Sequence, residues 1–303
     1  MYDTIIIGGS VAGSSAAIYL KRRGVNFLIT GKDIGGEMAL VGLIENYPGI
    51  PSITGIELAK KFKEHLEKYK IEPRIATVSE IKKDEDIFIV NGVNIAEKTK
   101  SVIIASGSKP KKLNVPGENE FNRKGVSYCS ICDGPLFSGK PVAIVGGANA
   151  ALESGLMMSK LSSKVYVLTI NNELWGDEVL IKELEKKNNV EIITSVFTHE
   201  IFGDKFVKGL KYLDKKDNKL KEISVEGIFI YIGMDPSTDF IPDEWGIKNQ
   251  LKEIIIDKLG KTSVLGIFAA GDATDIPFKQ MGIAVGQGIT AALSTINYLD
   301  SKI

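Results

Sequence analysis

The chain has 303 residues, enough for two ordinary domains with separate cores. Hydrophobic residues make up 44% and charged residues 25%, the balance of a soluble globular protein, and the formal net charge is zero. Neutrality does not favour a nucleic acid or an anionic membrane as partner, and glycines and charges interrupt every apolar stretch before it reaches membrane-span length. Met1-Tyr2-Asp3 lacks the basic start of a signal peptide, and 2 cysteines do not make a disulfide scaffold. The expectation is a cytoplasmic protein whose cysteine pair is chemical rather than structural.

Asp3 to Ile7 predicts a strand that enters the glycine turn Gly8-Gly9-Ser10-Val11-Ala12-Gly13. A helix pattern follows over Ala16 to Leu20 and a strand over Asn26 to Thr30, which together make a βαβ opening. Glu57 to Tyr69 reads as an amphipathic helix with His65 on its solvated face. The opening then recurs. Pro141 to Val145 is a strand, Gly146-Gly147-Ala148-Asn149-Ala150-Ala151 a second glycine turn, and a helix runs to about Leu161 before a strand over Lys164 to Thr169. A second echo joins them: the apolar runs from Val102 and from Ile228 both end in Gly-x-x-Pro, at Pro110 and Pro236. Beyond it, Ile254 to Asp257 and Gly266 to Asp272 read as strands, and Gly282 to Leu299 as a closing helix. This tail has no counterpart in the second copy and belongs with the first. The expected fold is therefore α/β, with two nucleotide-binding three-layer domains of ββα type, the second inserted into the first. Residues 1–113 and 240–303 form the first domain and 114–239 the second, with crossovers where Pro and Gly cluster, near Leu113–Gly117 and Pro236–Pro242.

The first turn nearly matches G-x-G-x-x-G, a pattern that brings backbone N–H groups and a positive helix end to a pyrophosphate. Ser10 replaces the middle glycine; it narrows the backbone approach but offers a hydroxyl to phosphate. A tight strand–helix turn without a ligand is the competing account. In the second turn Ala148 takes the middle place. NAD sites put an acid at the end of the following strand and NADP sites put arginines there. This chain has Thr169-Ile170-Asn171-Asn172 with Trp175 beyond. A nucleotide-type fold that no longer binds a nicotinamide cofactor well stands level with a working site.

Both cysteines lie in Cys129-Ser130-Ile131-Cys132, followed at once by Asp133. A zinc site needs four ligands, and the remaining candidates, His65 and His199, lie in distant segments. Two buried cysteines without chemistry are a second account. A redox pair is the third, and Asp133 favours it because thiol exchange needs a group to supply or take a proton.

At these residues the chain resembles the low-molecular-weight thioredoxin reductases of bacteria and archaea. The likeness runs from the first glycine turn through Thr30-Gly31, Gly35-Gly36, Glu45-Asn46-Tyr47-Pro48-Gly49 and Ala105-Ser106-Gly107. It continues through Cys129 to Gly134, Ala269-Ala270-Gly271-Asp272 and Lys279-Gln280-Met281. The resemblance implies a first domain that binds FAD, with the pyrophosphate on Gly8, Ser10 and Gly13. Gly31, Gly35, Gly36, Glu37 and Met38 would follow the adenosine and flavin, with Asn46 near the flavin. Asp272 would bond the ribityl chain and Gln280 and Met281 would present backbone to the pyrimidine end, with Gly271 and Lys279 also at the cofactor site. It implies that Cys129 attacks the partner disulfide, that Cys132 lies nearer the flavin and that Asp133 is the acid. It further implies a thioredoxin-like or glutaredoxin-like partner, a homodimer, and crossovers that act as hinges for the inserted domain. The family's NADPH signature, a His-Arg-Arg run with a further Arg, is replaced here by Thr169, Ile170, Asn171 and Trp175. Glu37 stands for the usual Gln and Lys279 for the usual Arg. The expectation is FAD with weak or absent use of NADPH among the NAD(P)H cofactors. NADH, ferredoxin or a deazaflavin are alternative donors, and a non-catalytic flavin-binding redox protein is an alternative function. A ferredoxin–NADP reductase of the same architecture does not need the cysteine pair.

Overall fold

The computed structural model describes residues 1–40 and 43–302. The chain divides into two compact units, Met1–Lys109 with Asp235–Ile303, and Pro110–Met234.

In the first unit Tyr2–Ile7 pairs in parallel with Phe27–Gly31 on one side and with Ile95–Ile104 on the other. Ile267–Ala269 adds in parallel along Val102–Ile104, and Arg74–Ile75 along the far edge of Phe27–Gly31. These strands are apolar at consecutive positions because both faces are covered. Ile6 lies in a core shared with the helices Val11–Arg22, Gly55–Lys68 and Met281–Asp300. Its neighbours Ile5 and Ile7 point to the other face. There Ile95–Ile104 continues into an antiparallel meander with Ile87–Val93 and Thr77–Asp84, which turns Ile81, Phe88 and Val90 inward.

The second unit repeats these three layers. Its five-stranded parallel sheet runs in the order Val126–Ser127, Gly227–Ile230, Pro141–Val145, Lys164–Leu168, Val190–Ile193. Val142, Ile144 and Val167 meet the helices Asn149–Ser159 and Glu178–Glu185 on one face. Ala143, Val145 and Leu168 meet the meander Val196–Gly203, Val207–Asp214, Lys219–Ser224 on the other.

The repeat holds at atomic detail in the two glycine turns. Gly8 has φ +130 and Gly146 φ +148, backbone that side-chain-bearing residues avoid. A Cβ on Gly8 would lie 2.0 Å from the Ala105 carbonyl oxygen, and one on Gly146 2.2 Å from that of Tyr231. Ala105 and Tyr231 are the matching positions of the Gly-x-x-Pro echo. A third close contact ties the closing helix to the first: a Cβ on Gly288 would lie 2.1 Å from the Ala12 carbonyl oxygen.

One expectation meets a different outcome. Ile254–Asp257 forms no strand; Ile254 makes only isolated bridges, to Lys248 and Thr274. Tight turns close on both sides of it. Asn249 Oδ1 accepts from the Leu251 and Glu253 amides, and Asp257 Oδ1 from those of Leu259 and Lys261, which leaves too little extended chain for a ladder. The compact units meet at 109/110 and 234/235, close to the proline- and glycine-rich stretches. Residues 113–117 lie inside the second unit, where Pro116 accepts from Ile201 N–H and Glu118 from the amides of Leu113 and Asn114. Residues 236–242 lie inside the first unit, where Phe240 accepts from Ile81 N–H and Ile241 is buried. Among the described residues no helix is long and apolar enough to cross a membrane.

Gly288→Ala is expected to lower stability by roughly 2 kcal/mol, although alanine is the better helix former, because the methyl group meets backbone. Thermal unfolding measures this; an unchanged or raised midpoint would contradict the close helix crossing.

Candidate functional site

In the second unit Cys129 and Cys132 form a disulfide with their Cα atoms 5.3 Å apart. Cys129 caps the four-residue helix Ser130–Asp133, and its sulfur accepts from the Cys132 amide at 3.2 Å. Both cysteines and Asp133 are half-buried, and Ile131 between them is exposed. Two hydroxyls hold this short segment. Ser127 Oγ donates to Asp133 Oδ2 at 2.6 Å and accepts from the Cys129 amide at 3.1 Å. Tyr231 OH accepts from the Ser130 amide at 2.7 Å and donates to Ser130 Oγ at 2.8 Å. Tyr128, the residue before Cys129, donates its phenol to the fully buried Glu118 carboxylate at 2.9 Å, and burial pushes its hydroxyl up from the usual range. The structure thus brings Cys129, Cys132 and Asp133 together, as the spacing suggested. Ser127 and Tyr231 escaped the sequence reading. Tyr231 lies within the echo that disclosed the repeat; Ser127 is a lone serine with no pattern to flag it.

In the first unit Gly8, Ser10 and Gly13 form the strand–helix turn. Gly8 N–H donates to Thr30 O, and a Cβ on Gly13 would lie 1.9 Å from the Gly8 carbonyl oxygen. The turn therefore closes with the first amides of the helix Val11–Arg22 at its mouth. The Ser10 hydroxyl donates to the Gly35 carbonyl, which ties the turn to the Gly35-Gly36 segment. Gly31 ends the second strand, and Gly36 N–H donates to Asp33 Oδ1 at 2.8 Å. Glu37 is exposed at the start of a short helix, whereas the Met38 side chain is buried in the core, which leaves only its backbone for a ligand.

Asp272 follows Gly271 just beyond the strand Ile267–Ala269. Among the described residues no hydrogen bond reaches its carboxylate. Burial pushes this carboxyl up, Lys279 draws it down and Glu37 adds to the rise. Lys279 is committed elsewhere: Nζ pairs with Glu253 at 3.0 Å and donates to the Thr274 carbonyl. Gln280 stands just before the closing helix and its Oε1 accepts from Asn46 Nδ2 at 3.3 Å; Met281 opens that helix. Residues 45–51 line a cavity of about 490 Å³ beside this pair. A half-buried carboxylate that no donor among the described residues meets, next to a turn with the first helix amides at its mouth, fits a ligand that carries hydroxyls and a pyrophosphate, as FAD does.

The second turn carries no arginine for a 2′-phosphate; the cation at its strand end is Lys215, whose Nζ donates to the Ile170 carbonyl at 3.3 Å. Thr169 is buried, and its Oγ1 would lie 2.5 Å from a Cβ on Gly147. Ile170 and Trp175 are exposed, and the Trp175 amide donates to the Gly147 carbonyl at 2.7 Å. From residue 110 to 234 the sequence holds a single arginine, Arg123, in a turn far along the chain.

Residues 2–288 match the family model described as pyridine nucleotide-disulphide oxidoreductase. The chain belongs to this family. Members bind FAD and NAD(P)H, and the fold is that of the thioredoxin reductases. The chain is similar to the thioredoxin reductase of Streptococcus pyogenes, at 35% identity over 99% of both chains with a TM-score of 0.91. It is 38% identical over 301 residues to the NADH dehydrogenase of Bacillus subtilis. It is also 38% identical over 307 residues to a component of the alkyl hydroperoxide reductase of Escherichia coli. It spans 98% of its own length in both matches but only 58% of the length of each relative.

Asp272 gives a signed pH effect. A carboxyl raised by burial contributes stability below its unfolded pKa and loses it as pH rises through the folded value. Asp272→Asn is therefore expected to raise the thermal midpoint of the ligand-free protein at neutral pH. The gain should fade as pH falls through the aspartate range. A gain independent of pH would show that the carboxylate charge is not the cause.

Proposed function

We propose that the chain is an FAD-dependent disulfide reductase that passes electrons from flavin to the Cys129–Cys132 disulfide. They leave by exchange with thioredoxin or a thioredoxin-like or glutaredoxin-like protein. The observation that carries this is the half-buried disulfide with the Asp133 carboxylate anchored beside it. Bound FAD supplies a ring that takes up and gives out an electron pair. The first unit is the FAD-binding domain in this proposal, and the second is the nicotinamide-type domain that carries the cysteines. The turn from Gly8 to Gly13 offers amides to the pyrophosphate. Gly31, Gly35, Gly36, Glu37 and Met38 lie along the adenosine and flavin, and Asn46 near the flavin. Asp272, following Gly271, accepts from ribityl hydroxyls, and Lys279, Gln280 and Met281 border the pyrimidine end. Cys129 is the attacking thiolate, Cys132 resolves the mixed disulfide and Asp133 moves the proton. The homodimer implied by the family resemblance belongs to the same proposal.

The electron donor in this account is not NADPH. Thr169, Ile170, Asn171 and Trp175 give no bidentate partner for a 2′-phosphate. NADH stands first among the alternatives because its ribose needs no such grip, with reduced ferredoxin and a reduced deazaflavin behind it.

Anaerobic bleaching of the flavin absorbance by each of the four donors is the test. Micromolar NADPH should bleach it slowly or not at all, and at least one other donor rapidly; brisk bleaching by NADPH would overturn the donor assignment. Cys132→Ser should retain FAD yet lose disulfide turnover by about a hundredfold or more. Undiminished turnover would make the chain a diaphorase instead.

A further inference from the structure

We propose that Ser127 is a positioning residue for the disulfide chemistry, with one hydroxyl that fixes the Cys129 backbone and the Asp133 carboxylate together. The inference rests on the disulfide-reductase function proposed above. Ser127 is buried at the end of the strand Val126–Ser127, in register with the fully buried Phe229 of the central sheet. Its oxygen is therefore placed by the core, not by the loop it serves. The Cys129 amide takes one of its lone pairs at 3.1 Å. Its single proton can turn to Asp133 Oδ2 at 2.6 Å or to the Cys129 carbonyl at 3.4 Å, and the shorter contact to the carboxylate dominates. Asp133 is also held through its own amide, which donates to Cys129 O at 3.0 Å. With Oδ2 bound, Oδ1 is the oxygen that no hydrogen bond among the described residues uses. The acid thus has one orientation and one free oxygen, on the same short segment as both sulfurs.

In the exchange that this arrangement serves, the Cys129 proton passes to Asp133. The Cys129 thiolate attacks one sulfur of an external disulfide, so that a Cys129–sulfur bond forms and the external S–S bond breaks. The departing thiolate takes the proton from Asp133. Cys132 then attacks Cys129 Sγ, closes the internal disulfide and releases the second thiolate, whose proton comes from the Cys132 thiol. The external disulfide gains two electrons and two protons, and the dithiol loses them. A basic alkyl thiolate needs the proton as it leaves; a stabilised aromatic thiolate does not.

The test uses the full chain, reduced with a phosphine, desalted and mixed in single turnover with hydroxyethyl disulfide or with dithiobis(nitrobenzoic acid). Ser127→Ala should slow the alkyl disulfide about tenfold and the aromatic one about twofold. Asp133→Asn should show the same contrast. The double variant should be no slower than Asp133→Asn alone, and Ser127→Thr should restore most of the rate. Equal slowing of both disulfides, or additive losses in the double variant, would overturn the proposal. Circular dichroism accompanies each variant, and Ser127→Gly carries the same test if Ser127→Ala does not fold. Cys129→Ser should abolish both reactions; if it does not, the reductase function itself fails, whatever Ser127 does.

Discussion

Both units are organised by one close contact, a glycine at the end of the first strand set against a carbonyl oxygen of the neighbouring strand. At Gly8 the neighbour is Ala105 and at Gly146 it is Tyr231. No side chain fits there, so the chain must turn sharply and enter a helix with its first amides unspent. The same contact sets the distance between the turn and the next parallel strand. It therefore fixes where that strand's end delivers its residues. In the second unit the delivered residue is Tyr231, whose carbonyl meets Gly146 and whose hydroxyl holds Ser130. One residue supports both the nucleotide-type turn and the redox segment.

The two halves of the proposed electron path are unequally equipped. Around Cys129 and Cys132, polar groups are paired: Ser127 with Asp133, Tyr231 with Ser130, Tyr128 with Glu118. Satisfied networks in partly buried sites specify one geometry. In the first unit the Asp272 carboxylate is half-buried, and no hydrogen bond among the described residues reaches it. That is the pattern of a site completed by a ligand. The strand end beside the second turn is closed by Thr169, and the exposed side chains that follow are Ile170, Asn171, Asn172, Glu173 and Trp175, none of them an arginine. Relatives of comparable identity carry different names: a thioredoxin reductase, an NADH dehydrogenase and a component of a hydroperoxide reductase. Family membership therefore leaves donor and partner to be decided by these residues.

The duplicated plan was legible because it rests on glycine turns and apolar parallel strands, which leave strong local signals. The meanders were not. Thr77–Asp84 and Lys219–Ser224 carry charged side chains on their open faces, so neither reads as an apolar run. Ile254–Asp257 shows the converse error: it is apolar enough for a strand, but side-chain-capped turns on both sides decide otherwise. Just past the proline and glycine at 113–117, Glu118, a buried carboxylate with three donors, ties that segment into the second unit. At the site, the cysteines and Asp133 could be read from spacing. Ser127 could not, because its role arises from a strand register that brings its hydroxyl under Asp133.

The central claim is that electrons leave through Cys129. The direct measurement is mass spectrometry of reduced Cys132→Ser protein mixed with a thioredoxin that lacks its second cysteine and carries an aromatic thiol on the first. The account predicts one stable mixed disulfide, located at Cys129. No adduct, or an adduct of equal yield in Cys129→Ser protein with Cys132 intact, would contradict it.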